Sequence, residues 1–186
     1  MNIIVKPYGS DRCCCRPDTT WERENKDFYS PECVNEIYWT PIVFARISKA
    51  GKCIGSKFAS RYYDAIGFGI LLYLGDGEIA FSSCADHTSV LPFPLYNPVV
   101  SENADNVFEV KRNGESLFSV QMADIDCKSL IESAICAASG LTSIRIGDFT
   151  AVELGSGRLL AERNDREIKV EASFCENSLF DFKVIF

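Results

Sequence analysis

The chain has 186 residues, a formal net charge of −7, 47% hydrophobic residues and 12% aromatics, among them 13 Phe. That length suits one domain that buries well over half of the surface its unfolded form exposes, and is short for two, so a single domain over 1–186 is expected. The acidic balance, with a pI of about 4.8, repels phosphate backbones and anionic lipid and so argues against nucleic acid or a membrane as partner; no apolar run approaches the roughly 20 residues of a membrane span, no basic start leads into an apolar leader, and a cytoplasmic address is the expectation.

Met1 to Val5 is an apolar run suited to a first strand, ended by the turn cluster Lys6-Pro7-Tyr8-Gly9-Ser10. Cys13 to Cys15 suits a second strand, stopped at Arg16-Pro17-Asp18, and the polar run Thr19 to Asp27 suggests a solvated loop or hairpin. From Ile37 to Ile47 the pattern is a strand with Tyr38, Thr40, Ile42, Phe44 and Arg46 on one face and Trp39, Pro41, Val43, Ala45 and Ile47 on the other. Pro41 has no N–H for a ladder, so its side of the strand should be an edge or a bulge. After a turn at Gly51, Ser56 is placed to cap a short helix over about 56–63 with Phe58, Ala59 and Tyr62 facing inward. Gly67 and Gly69 lead into Ile70-Leu71-Leu72-Tyr73-Leu74, a strand buried on both faces.

Gly75-Asp76-Gly77 turns the chain into Glu78 to Phe81, and a loop with Pro92, Pro94 and Pro98 follows. Asn113-Gly114 supplies the two φ > 0 residues of a type I′ turn in a hairpin over Val107 to Val120. One long helix is predicted over about 126–139: Cys127, Leu130, Ile131, Ala134, Ile135 and Ala138 form a single apolar stripe, with Asp124 or Asp126 as cap and Gly140 as stop. Ile144 to Ile146, Phe149 to Leu154, Arg158 to Glu162, Glu167 to Phe174 and Leu179 to Phe186 each read as strands. The fold class is therefore α+β, mainly β, with one long and one short helix.

Nine cysteines with irregular spacing and no C-x-x-C pair read as reduced core residues. Adjacent residues alternate sides of a strand, so Cys13, Cys14 and Cys15 cannot all face one ion; rapid thiol labelling would mark them as redox or metal-handling groups instead. The sole histidine lies in Cys84-Ala85-Asp86-His87-Thr88-Ser89. A thiol, a carboxylate, an imidazole and a hydroxyl there make a candidate catalytic group, although such groups must meet in space and loop neighbours rarely do. Glu153 and Asp148 could form a replacement acidic site with Asp86 or Asp64. Gly67-x-Gly69 and Gly75-x-Gly77 open no helix at a dinucleotide spacing, and Arg61-Tyr62-Tyr63 reads as packed aromatics with Arg61 paired to a carboxylate.

Several phrases, in order, resemble the fumarylacetoacetate hydrolase family, in particular small single-domain members of Bacteroidetes-type bacteria. They are Arg16-Pro17-Asp18-Thr19-Thr20, Arg46-Ile47 with Gly51-Lys52, Lys57 to Asp64 leading to Gly67-Phe68-Gly69-Ile70, and Leu130 to Ile135 followed by Leu141 to Asp148. The resemblance implies a fumarylacetoacetase-like fold of stacked mixed sheets, a homodimer, and an ancestry of Mg²⁺- or Mn²⁺-dependent C–C bond cleavage in acylpyruvate-like acids. In such relatives a Glu-x-Glu pair on one strand and an Asp on the next hold the ion, and two carboxylates two apart on a strand do point to one side. Here the resemblance puts Thr40, Ile42 and Leu71 at those places, Ser83 near the family lysine, Val152-Glu153-Leu154-Gly155 at the Thr-Gly-Thr-Pro loop, and leaves out the loop with the family's His-Glu pair between Val5 and Cys13. One hydroxyl and two aliphatic side chains are not a ligand set for a hard cation. The expectation is a degenerate member without a cofactor, serving a binding or structural role, with a small molecule as a possible occupant of the inherited pocket. The alternative is a hydrolase, decarboxylase or isomerase of small oxo-acids using Mg²⁺ or Mn²⁺ and a site rebuilt around Asp86, His87 and Glu153.

Overall fold

The computed structural model describes residues 1–75 and 84–186, so the turn expected at Asp76-Gly77, the strand Glu78 to Phe81 and Ser83 lie outside the described residues. Its strands are β1 (Asn2–Lys6), β2 (Cys14–Pro17), β3 (Trp21–Glu22), β4 (Phe28–Tyr29), β5 (Glu36–Ile47), β6 (Tyr63–Gly75), β7 (Ser89–Val90), β8 (Val107–Arg112), β9 (Glu115–Gln121), β10 (Phe149–Glu153), β11 (Arg158–Glu162), β12 (Glu167–Phe174) and β13 (Asn177–Ile185), with one long helix, α1 (Cys127–Leu141).

β5 and β6 pair antiparallel along almost their whole length, from Glu36 opposite Gly75 to Ile47 opposite Tyr63. They form the spine of a mixed, nearly closed sheet in the order β2-β1-β10-β5-β6-β7-β3, with β11 also on β5. Both strands are buried on both faces, which explains why their apolar residues run on rather than alternate. Two glycines permit this packing. A Cβ on Gly67 would collide with the Phe44 ring opposite it, and one on Gly69 would collide with the Val90 carbonyl of β7.

Pro41 lies on a central strand, where an edge or bulge was expected. β10 pairs with β5 as far as Ile42 and β11 takes over at Trp39, so Pro41 faces the gap between two neighbours. Its carbonyl accepts from Leu154 N at 2.8 Å, and its missing N–H leaves no ladder bond unmade.

The second sheet has the order β4-β13-β12-β8-β9. Its β8–β9 hairpin turns at Asn113 and Gly114, with φ of 50° and 83°, as the sequence predicts. The main core lies between the two sheets and α1, with Phe68 of the first sheet stacked on Phe174 of the second at 4.5 Å. α1 contributes Cys127, Ile131, Ala134, Ile135 and Ala138, and Asp126 caps it by accepting from Ser129 N at 2.9 Å. Gly140 stays helical, and the stop falls at Thr142, which takes extended backbone and donates to Ala138 O.

Three local expectations change. The short helix is a 3-10 helix over Ser56–Arg61, entered from Gly55 without a side-chain cap; Ala59 is buried but Phe58 is exposed. At three residues per turn Ala59 and Tyr62 share a face, and Tyr62, which closes the helix, packs against the main core, so of the three positions expected inward only Phe58 is exposed. Ile144 makes an isolated bridge to Gly51 rather than a strand. The run Thr19 to Asp27 is not all solvated: β3 pairs with β7, and that pairing buries Thr20 and Glu22.

Candidate functional site

Register alone brings together the three positions singled out on β5 and β6. Thr40 lies directly opposite Leu71, and Ile42 lies two residues along the same face opposite Gly69. All three are at most 1% exposed. They face the inside of the curved sheet, where Ile42 and Leu71 pack with Ile3, Val5, Phe44, Leu91, Phe149 and Ala151. Phe149 meets Phe44 and Trp21 edge-on, at 5.5 and 5.2 Å. The Thr40 hydroxyl is buried without a hydrogen-bond partner. One neutral oxygen among aliphatic and aromatic groups does not fit Mg²⁺ or Mn²⁺, which take several anionic or carbonyl oxygens. Among the described residues no group of three or more His, Cys, Asp or Glu side chains could hold a metal.

At one end of this interior the sheet is closed by a charge. Arg16 of β2 is fully buried and donates to Thr88 O, Thr88 Oγ1, Ser89 Oγ and Leu72 O at 3.0–3.3 Å, crossing from one margin of the sheet to β6 and β7. Its guanidinium lies 4.5 Å from the Tyr73 ring centre. Tyr73 in turn donates its hydroxyl in a short bond to Glu153, whose other oxygen accepts from Tyr8 N at 2.9 Å. Burial, offset in part by Arg16 and reinforced by Glu153, holds the Tyr73 phenol well above its ordinary range. Arg16 was legible only as part of a motif; nothing in the sequence pattern marked it as a buried cation.

His87 is elsewhere. Its Nδ1 is 2.8 Å from Glu22 Oε2, and the imidazole, about half exposed, lines a cleft with Asp86, Cys84 and Cys33. Glu153 lines a different groove, with Lys6, Tyr8 and Leu130. The structure thus keeps Asp86 and His87 together and sets Glu153 apart from them. Glu22 was missed because it sits in a polar run; the signal was Trp21 beside it, a large apolar side chain unsuited to a solvated loop. The other acidic candidates are committed locally. Asp148 is buried and accepts from Asn2 N and Arg145 N, each at 2.8 Å, while Asp64 pairs with Arg46 at 2.9 Å. Arg61 lies over the Phe58 ring rather than on a carboxylate.

The cysteines depart from the all-core reading. Only Cys127 is buried, while Cys15, Cys33, Cys53 and Cys84 are exposed, because β2 is a margin strand and the others are in loops. Cys13 packs on the main core and Cys14 on the inner one, so the alternation expected of a strand holds. Burial pushes all three thiols of that run above their ordinary range, Cys14 with Arg16 opposing; this disfavours the reactive thiolate.

No family model matches the chain, and no curated protein does. Its fold is shared by solved structures at low identity. Fumarylpyruvate hydrolase from Pseudomonas aeruginosa, solved with Mn²⁺ and pyruvate, is similar with a TM-score of 0.79 at 11% identity over 100% of this chain and 90% of that one. Maleylpyruvate hydrolase from Sphingobium sp. SYK-6 gives 0.74 at 14% over 99% and 69%. A 5-carboxymethyl-2-hydroxymuconate delta-isomerase from Mycobacterium smegmatis gives 0.77 at 12% over 99% and 78%. The chain therefore has the fold of fumarylacetoacetate hydrolase-type proteins.

Proposed function

We propose that this chain is a fumarylacetoacetate hydrolase-like protein that has given up divalent-metal catalysis and serves as a binding or structural protein, as a homodimer in line with the family it resembles. The observation that carries this reading is the packing of Thr40, Ile42 and Leu71. Three positions that register places around one point on the inner face are filled by a hydroxyl without a partner and two aliphatic side chains at most 1% exposed. Restoring an ion there would require anionic oxygens that these residues lack. The nearest carboxylate by register, Glu153 opposite Ile42, is held by Tyr73 and Tyr8.

Calorimetric titration with Mn²⁺ or Mg²⁺ tests the reading. The expected outcome is no binding tighter than about millimolar, the weak end of the range for hard cations on oxygen ligands. Saturable one-site binding in the micromolar range would overturn it. Light scattering on the purified chain checks the dimer.

A further inference from the structure

A cleft of about 880 Å³ opens between the Lys26-to-Cys33 segment and the loop Cys84 to His87. Phe28, Tyr29, Pro31 and Ala85 give it an apolar wall, and its size suits a small organic molecule. None of its described lining residues belongs to the filled inner face.

The imidazole on this cleft is fixed from behind. Glu22 is 4% exposed, and its Oε1 accepts from Glu24 N at 2.6 Å and from Lys26 N at 3.5 Å. A carboxylate held by the backbone in this way has little freedom, so through Oε2 it fixes both the ring and the tautomer of His87. Against an ionised Glu22, Nδ1 is the nitrogen that donates, so in the neutral ring Nε2 is the one with a free lone pair. No hydrogen bond to Nε2 is found among the described residues, and the ring, about half exposed, lines the cleft. His87 also has φ of 59°, a conformation that a non-glycine residue adopts at a cost and that concentrates at sites with a task.

The charges around the ring narrow the ligand. Asp27 and Asp86 face the same cleft with Lys26, whose ammonium is already 2.6 Å from Glu24. These surroundings oppose a phosphate or a dicarboxylate. They allow a molecule that arrives neutral and hands over a single proton.

We propose that the His87–Glu22 pair is a proton-accepting site for a small, largely apolar molecule bearing one weakly acidic O–H of the phenol type. The ligand's O–H bond breaks and an Nε2–H bond forms. The imidazolium then lies between the Glu22 carboxylate and the ligand oxyanion, the net charge of the complex is unchanged, and the aromatic body rests on Phe28, Tyr29 and Pro31. This supplies a ligand class for the binding role proposed above. It does not depend on the metal question, because the titration is run with EDTA.

The probe is 4-nitrophenol, whose ionisation reads as a visible absorbance, titrated at a pH where the free phenol is mostly neutral. Wild type should give a saturable one-site increase in the ionised form. His87→Asn tolerates the left-handed φ but lacks the basic nitrogen; it should lose the ionised signal and weaken binding roughly tenfold or more, the size of one lost hydrogen bond to a charged group. Cys33→Trp, at an exposed position on the opposite wall, should block binding while circular dichroism stays native. Glu22→Gln should lower the ionised fraction at equal occupancy. An unsaturable wild-type response, a signal indifferent to His87→Asn, or binding indifferent to Cys33→Trp would each overturn the proposal.

Discussion

Two regions of this protein handle polar groups in opposite ways. The inner face of the first sheet is apolar: Ile42, Leu71, Phe44 and Phe149 fill it, and Arg16 at its end is met by four neutral oxygens and an aromatic ring. The cleft at His87 is open, and there the carboxylate is buried while the imidazole reaches solvent. The inner face spends its polar groups on closing the sheet, so changes there should register as stability. The cleft presents its polar group outward, so changes there should register as binding.

The largest effect should come from Arg16→Met. Removing the guanidinium leaves Leu72 O without its donor and takes one of two partners from Thr88 O, Thr88 Oγ1 and Ser89 Oγ, and the four lost bonds to a charged group should together cost about 3–5 kcal/mol in urea unfolding. A loss below about 1 kcal/mol would mean that the inner face is not sealed by this residue. Ile42→Ala should follow at about 2–4 kcal/mol, because a rigid, aromatic-lined face collapses poorly around a cavity. Tyr73→Phe leaves a Glu153 oxygen without its donor and should cost about 1–3 kcal/mol by the same assay.

A titration separates the main core from both regions. Burial, with Asp126 beside it, pushes the Cys127 thiol up to about 12 from an ordinary 9.0. The unfolded chain therefore loses this proton at lower pH than the folded one, and the contribution is complete below pH 9 and fades between pH 9 and about 12. Stability should fall across the accessible part of that window by at most about 1.4 kcal/mol per pH unit from this group, and Cys127→Ala should flatten the slope. The smallest effect belongs to the cleft. Cys33→Trp, at an exposed position on the cleft wall, should change unfolding stability by no more than about 0.5 kcal/mol, which is what makes it a clean binding variant. A large loss would mean that the wall at Cys33 is packed rather than open.

What the sequence revealed follows the same division. Period-2 alternation placed Thr40, Ile42 and Phe44 on one face and Trp39, Val43 and Ala45 on the other, and Asn113-Gly114 marked the hairpin, because these features depend on local geometry alone. Asp126 and the apolar stripe likewise marked α1. Partnership across the fold was not legible. Pro41 suggested an edge, and only the handover from β10 to β11 shows how a central strand tolerates it. Arg16 and Thr88 are 72 residues apart, and Glu22 and His87 65, so no spacing rule connects them. Three-residue neighbours such as Cys84 and His87 looked like a catalytic group, yet the contact the structure gives His87 is a carboxylate from β3.

The central claim is that the inner face has exchanged a metal-binding set of oxygens for a packed apolar one. The most direct test is a crystal grown from this chain in excess Mn²⁺ and measured at an energy where manganese scatters anomalously. The account predicts no anomalous peak between β5 and β6 near Thr40, Ile42 and Leu71. An ordered, oxygen-coordinated Mn²⁺ at that point would contradict it.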